Sequence, residues 1–212
     1  MDFRYLAKPY VNVPLTRQVM LDLLHNYKRP NDKISELVKS GELIPLKKGL
    51  YVPGEKTNLA GPEPFLIANH LWGPSYISFE SAMSYWGLIP ERVYEVSSAT
   101  MKLSRKFKTP KGRFSYRYLP SPYYSFGINS VELSPGQVAL VATPEKALCD
   151  KIATTSGLSL RSTVQTRNFL LDDLRINIGS LKKLDRKMIA SWIVDAPKKE
   201  SLKILIKTLT DL

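Results

Sequence analysis

The chain has 212 residues, of which 43% are hydrophobic and 24% are charged, a composition that excludes disordered and fibrous proteins. Lysine and arginine number 31 against 19 acidic residues, so the formal net charge is +12 and the chain attracts polyanions. A single cysteine excludes an internal disulfide and, with two histidines, leaves too few ligands for a usual zinc site. We therefore expect no metal site and no cofactor.

No apolar run reaches the ~18 residues that a membrane span needs. The amino end also lacks the basic and then apolar layout of a signal peptide. These patterns predict a cytoplasmic protein without membrane contact.

Two short helices are predicted near the amino end. Thr16 can cap the first helix, whose apolar residues recur at helical spacing. Pro30 opens the second helix, whose apolar stripe begins at Ile34, and Gly41 suits the left-handed closing position. Residues 1–14 give only a weak pattern for the third helix that a standard helix-turn-helix contains.

A short hairpin follows these helices. Residues 43–46 and 50–52 read as strands, and Lys47, Lys48 and Gly49 form the turn between them. Two helices and a basic-tipped hairpin are typical of a winged helix-turn-helix, so residues 1–60 are predicted to bind double-stranded DNA. The solvated edge of any small domain is the alternative interpretation of the same pattern.

The polar side of the second helix and the hairpin turn supply the predicted DNA contacts. Asn31 and Lys33 lie in the first helical turn, where base edges are usually reached, whereas cations of the flanking turns would hold phosphates. The complete predicted set is Lys28, Arg29, Asn31, Lys33, Ser35, Lys47 and Lys48.

A segment rich in proline and glycine at 53–62 separates this module from residues 61–212. The second part is predicted to be a mixed α/β domain that ends in a helical bundle, so the whole chain belongs to the α+β class. Helices are predicted at 62–72, 79–86, 162–174, 184–194 and 197–209, and strands at 93–100, 103–108, 113–119, 131–133 and 138–141. A further helix is predicted to start at Thr143-Pro144-Glu145 and to include Ile152.

Positions 102–117 form a secondary basic surface without any acidic residue. Because cations alternate there with aromatic residues, strands would place rings on one face and cations on the other. Such a surface can bind RNA or single strands by stacking, but a sheet that buries its rings is the commoner case. The basic residues are Lys102, Arg105, Lys106, Lys108, Lys111, Arg113 and Arg117.

The sequence contains no nucleotide-binding loop and no nucleophile elbow, so we predict no catalytic residues and a protein that is not an enzyme. A metal-dependent nuclease is the enzymatic alternative, with Glu132, Glu145 and Asp150 as its carboxylates near Lys146. Adjacent residues on a helix do not face one another, so Glu145 and Lys146 fit salt bridges or helix starts better. A third alternative is an interaction protein whose basic surface meets an acidic partner.

Four segments of this chain resemble the AbiEi family of type IV antitoxins, which are transcriptional regulators of abortive-infection and viral-defence operons. The segments are Lys-Lys-Gly-Leu-Tyr-Val-Pro at 47–53, Gly-Pro-Ser-Tyr-Ile-Ser-Phe-Glu-Ser-Ala at 73–82, Tyr-Trp-Gly-Leu-Ile-Pro at 85–90 and Ala-Thr-Pro-Glu-Lys-Ala-Leu-Cys-Asp at 142–150.

This resemblance implies an amino-terminal winged helix that binds operator inverted repeats and represses its own operon. It further implies that the carboxy-terminal domain counters a nucleotidyltransferase-like toxin without a stable complex between the two. Whether the protein is a monomer in solution or a dimer on DNA stays open.

Overall fold

The first part of the chain alternates short helices with short strands. The structure is a computed structural model that describes residues 2–212. Its first elements are α1 (Phe3–Ala7), β1 (Leu15–Thr16), α2 (Arg17–Leu23), α3 (Pro30–Ser40), β2 (Leu43–Lys47) and β3 (Leu50–Pro53). The helix α1 lies in residues 1–14, where the sequence gives only a weak helical pattern. The strand β1 was not predicted.

The boundaries of these elements follow the predicted local signals. The Thr16 hydroxyl accepts a hydrogen bond from the Val19 amide at 3.3 Å and caps α2. Gly41 ends α3 with φ +79°, and Gly49 takes the same φ in the hairpin turn. The strand β3 lies between β1 and β2 and pairs antiparallel with both, so the hairpin and β1 form one three-stranded sheet.

The elements of this first part enclose a small hydrophobic cluster. Ile34 and Leu37 of α3 are buried in it, so the opposite side of α3 faces solvent. The other buried members are Phe3, Ala7, Leu15, Met20, Leu24 and Leu43.

The rest of the chain is a second, larger arrangement of helices and strands. Its elements are α4 (Pro64–Leu71), β4 (Ser75–Ile77), α5 (Phe79–Tyr85), β5 (Glu95–Thr100), β6 (Arg105–Thr109), β7 (Gly112–Tyr118), β8 (Ile128–Ser134), β9 (Gln137–Ala142), α6 (Pro144–Thr154), α7 (Thr163–Asn168), α8 (Ile178–Lys182), α9 (Arg186–Trp192) and α10 (Lys199–Thr210). Helices and strands are both abundant, which confirms the predicted α+β class.

Six strands of this part form one sheet in the order β6-β7-β5-β4-β9-β8. The pairs β5–β7 and β4–β9 are parallel, and the other neighbours are antiparallel, so the predicted mixed order is confirmed. The central strand β4 was not predicted.

Helices cover the two faces of this sheet unequally. On one face, the Tyr116 hydroxyl of β7 donates to the Ala68 carbonyl of α4 at 2.7 Å. On the other face, the Tyr76 hydroxyl of β4 donates to Asp150 of α6 at 2.9 Å, and α5 packs beside α6. On this second face, Lys106 and Lys108 of the edge strand β6 are exposed to solvent.

The carboxy-terminal helices α9 and α10 pack on α6. The helix α10 buries Leu202, Leu205 and Leu209 against α7 and α9, as its apolar spacing predicts. None of the helices within residues 2–212 has both the length and the apolar character needed to cross a membrane.

The two hydrophobic clusters meet at the β2–β3 hairpin. Ile34 and Leu43 belong to the first cluster, whereas Leu46, Leu50 and Val52 of the hairpin contribute to the larger one. The hairpin therefore joins the two predicted domains by burying apolar side chains on both sides.

Candidate nucleic-acid interface

The first turn of α3 is open to solvent. Pro30 occupies the first turn, and the side chain of the preceding Arg29 makes no capping hydrogen bond. Asn31 and Ser35 are exposed to solvent, whereas Ile34 between them is buried. This end of α3 therefore presents free backbone N–H groups and polar side chains to the surroundings.

Arg17 connects this turn of α3 to the hairpin. Its backbone N–H donates to the Gly49 carbonyl at 2.9 Å, and its guanidinium donates to Asn31 Oδ1 at 3.2 Å. Arg17 is exposed, so the arrangement brings a guanidinium, an amide and the hairpin turn to one surface. Arg17 is not among the predicted DNA contacts, although it directly follows the Thr16 cap at the start of α2.

Three of the predicted phosphate contacts remain available to a ligand. Lys28, Arg29 and Lys48 are all exposed. The Arg29 guanidinium lies 3.8 Å from Asp32, but both side chains are largely solvated, so this ion pair is weak. These cations flank the surface formed by Arg17 and Asn31.

Two residues of the predicted set are engaged within α3. The Lys33 ammonium lies 2.6 Å from Glu36 Oε1, and this hydrogen-bonded ion pair raises the pKa of Lys33. The same ammonium lies 5.5 Å from the centre of the Tyr27 ring. The Ser35 hydroxyl donates to the Asn31 carbonyl at 3.0 Å. Lys33 and Ser35 therefore already have partners within the chain.

The position of Lys47 departs from the prediction that both lysines extend from the hairpin turn. Its ammonium donates to the Leu71 carbonyl at the end of α4, at 2.5 Å. Burial lowers the pKa of Lys47, and the nearby charges of Lys102 and Arg105 lower it further. Lys47 faces the larger part of the molecule because the carboxy-terminal end of α4 lies against the hairpin.

The secondary basic surface divides between two sides of the outer strands. Lys102 and Arg105 lie over the Trp72 ring, at 5.2 and 4.8 Å from its centre. Lys106 and Lys108 belong to the other side, across from Ser115 and Arg113. Arg113 is exposed, Lys111 in the turn is partly buried, and Arg117 lies 3.8 Å from Glu80 Oε2.

The aromatic residues of this segment are mostly unavailable for base stacking. Phe114 and Tyr116 are buried in the larger cluster, and Phe107 packs against it. Tyr118, which follows them in β7, is largely exposed, at 51%. The commoner case, a sheet that buries its rings, is the one observed.

The carboxylates of the nuclease alternative serve separate structural roles. Exposed Glu132 accepts from the Gly136 amide at 3.1 Å, and buried Glu145 accepts from the Asp185 amide at 3.0 Å. Asp150 is fully buried beside Lys146. Across residues 2–212, no three His, Cys, Asp or Glu side chains form a group suited to a metal ion.

Asp150 is the centre of a buried polar network. The Lys146 ammonium lies 2.7 Å from its Oδ1, and the Tyr76 and Ser78 hydroxyls donate to its Oδ2. Ser78 is the N-cap residue of α5, but its side chain makes no capping hydrogen bond, because its hydroxyl donates to Asp150. Burial raises the pKa of the adjacent Cys149 thiol to about 12, so this cysteine is protonated at neutral pH.

The chain matches no protein-family model and no curated protein in comparisons with known proteins.

Proposed function

We propose that this chain binds double-stranded DNA through the start of α3 and the β2–β3 turn, as a winged helix-turn-helix protein does. The observation that carries the proposal is the position of Arg17, which contacts Gly49 of the turn and Asn31 of α3. The order of three helices and a hairpin, with β3 between β1 and β2, supports the same proposal.

Each exposed group has a chemical counterpart in a duplex. An asparagine amide pairs with adenine in the major groove, and an arginine pairs with guanine, so Asn31 and Arg17 would read base edges. The neighbouring cations would bind phosphates of the backbone. Lys28 and Lys48 would do so as point charges, and Arg29 through bidentate hydrogen bonds. The net charge of +12 adds an attraction that does not depend on base sequence.

The resemblance to AbiEi antitoxins extends this proposal to a biological role. The chain would repress its own operon at inverted repeats and counter a nucleotidyltransferase-like toxin without a stable complex. This role requires no catalytic residue in the chain. Co-expression of the chain with such a toxin tests the proposed antitoxin role. We expect growth to be rescued, and growth arrest that the chain does not relieve contradicts this role.

A binding titration with duplex DNA from upstream of the gene tests the proposed DNA binding. We expect a discrete complex with the wild-type chain and at least ~10-fold weaker binding for Arg17→Gln combined with Lys48→Gln, because two cationic contacts are lost. The matched control is Lys182→Gln combined with Lys183→Gln, which removes two exposed cations elsewhere. Equal weakening in both double variants would contradict an interface at α3 and the hairpin.

A further inference from the structure

The uncovered face of β6 and β7 gathers cations around a small cavity. In the antiparallel register, Lys106 lies opposite Ser115 and Lys108 lies opposite Arg113. Residues that alternate along a strand share a face, so Arg117 lies on the same side as Ser115. This face is opposite to the one that carries α4 and the Lys47 contact.

The cavity has a volume of about 330 Å³ and opens to solvent. Its lining includes Glu95, Ser104, Lys106, Ser115 and Arg117. Lys108 and Arg113 flank it on the same face, so four cations accompany the single carboxylate of Glu95 there. Glu95 lies beside Arg113 in the β5–β7 ladder, which places a cation next to the acid.

Ser115 is the unusual member of the lining. The residue is only 3% exposed, and its hydroxyl has no hydrogen-bond partner. Its neighbour across the ladder, Ser97, is satisfied, because the Ser97 hydroxyl contacts the Ser78 carbonyl and the Ser81 hydroxyl. A buried hydroxyl without a partner lowers stability. Ser115 lines the cationic cavity, so a ligand atom bound there would supply the missing partner.

Three cations line the cavity. Arg105 lies over the Trp72 ring on the other side of the strand, and the remaining two are held in different ways. The Arg117 guanidinium lies 4.7 Å from the centre of the Phe79 ring, which orients it. Its acidic neighbour Glu80 also pairs with Lys151, so Glu80 is neutralised without Arg117. Lys106 is exposed and has no ion-pair partner among residues 2–212.

We propose that this cavity binds a phosphate monoester. The planar guanidinium of Arg117 can donate two parallel hydrogen bonds to phosphate oxygens, and the Lys106 ammonium adds a third charge-assisted contact. The Ser115 hydroxyl donates to the same group from the floor. The occupant is the terminal phosphate of a small phosphorylated molecule or of a nucleic-acid 5′ end, and the site is independent of duplex binding at α3.

Calorimetric titration of the full chain with inorganic phosphate and with pyrophosphate tests the site. Saturable binding of the wild-type chain is expected, with affinity reduced about 10-fold or more by Lys106→Gln, because a charge-assisted contact is lost. Lys183→Gln removes an exposed lysine elsewhere and should leave the affinity unchanged. Absence of saturable binding by the wild-type chain overturns the proposal.

Ser115→Ala separates a ligand-binding role from a structural one. Because this change removes a buried unpaired hydroxyl, the phosphate-free chain should unfold at the same or a higher urea concentration, while phosphate affinity falls. Loss of stability without loss of phosphate affinity would overturn the assigned role of Ser115.

Two oligonucleotides that differ only in a 5′ phosphate or a 5′ hydroxyl distinguish the sources of the phosphate. Tighter binding of the 5′-phosphorylated strand, reduced by Lys106→Gln, assigns the site to a nucleic-acid end. Phosphate and pyrophosphate binding without such a difference assigns it to a small molecule. If both strands bind equally and Lys106→Gln lowers the affinity for both by the same factor, internal phosphodiesters occupy the face. That result overturns the monoester proposal.

Discussion

Lys146 and Asp150 form an ion pair in the interior of the protein. Lys146 and Asp150 are four residues apart on α6, a spacing at which opposite charges meet on a helix surface. Both side chains are nevertheless completely buried, and burial lowers the pKa of Lys146. The sequence could indicate the pair but not its environment, because β4 and residue Tyr123 cover it only in the folded chain.

Asp150→Ala should be strongly destabilising, since it leaves the Lys146 ammonium buried without its countercharge. We expect a loss of ~3–5 kcal/mol in the free energy of unfolding, measured by urea denaturation. The comparison is Glu200→Ala, which breaks the exposed pair with Lys203 and should cost no more than ~0.5 kcal/mol. Similar losses in the two variants would contradict a buried ion pair.

Secondary-structure elements were predictable where a local signal defines their ends. Thr16 caps α2, Gly41 closes α3, and the Thr143 hydroxyl accepts from the Lys146 amide at the start of α6. The strands β1 and β4 carry no such signal, because they have two and three residues and are defined by pairing with distant strands. Tertiary contacts, which a local pattern does not contain, produce both of them.

The junction of α3 with the hairpin depends on a close backbone approach at Gly54. The Gly54 amide donates to the Glu42 carbonyl at 2.8 Å, and a Cβ at Gly54 would lie 2.1 Å from the Gly41 carbonyl oxygen. Gly54→Ala should therefore reduce the free energy of unfolding by ~1–3 kcal/mol. At Gly61 an added Cβ meets nothing within 4 Å, so Gly61→Ala is the matched control. The two alanine variants are compared by urea denaturation, and equal midpoints would show that the junction is not tight.

At the scale of the whole molecule, the sequence identified the candidate interface but not all of its members. Asn31, Lys28 and Lys48 are exposed as predicted, because helix and turn signals place them on polar surfaces. Arg17 was missed and Lys47 was misplaced, since their positions depend on β1 pairing with β3 and on α4 packing against the hairpin. Contacts between distant segments decide which cations are free to meet a ligand.

The dependence of duplex binding on salt tests the central claim most directly. Fluorescence anisotropy gives the association constant of the chain with upstream duplex DNA over a series of salt concentrations. If Lys48 holds a phosphate, Lys48→Gln should reduce the slope of log association constant against log salt by ~0.9. If Asn31 reads a base, Asn31→Ala should keep that slope and lower the preference for the upstream duplex over a scrambled one by ~1–3 kcal/mol. An unchanged slope in Lys48→Gln together with an unchanged preference in Asn31→Ala would contradict duplex recognition by α3 and the hairpin.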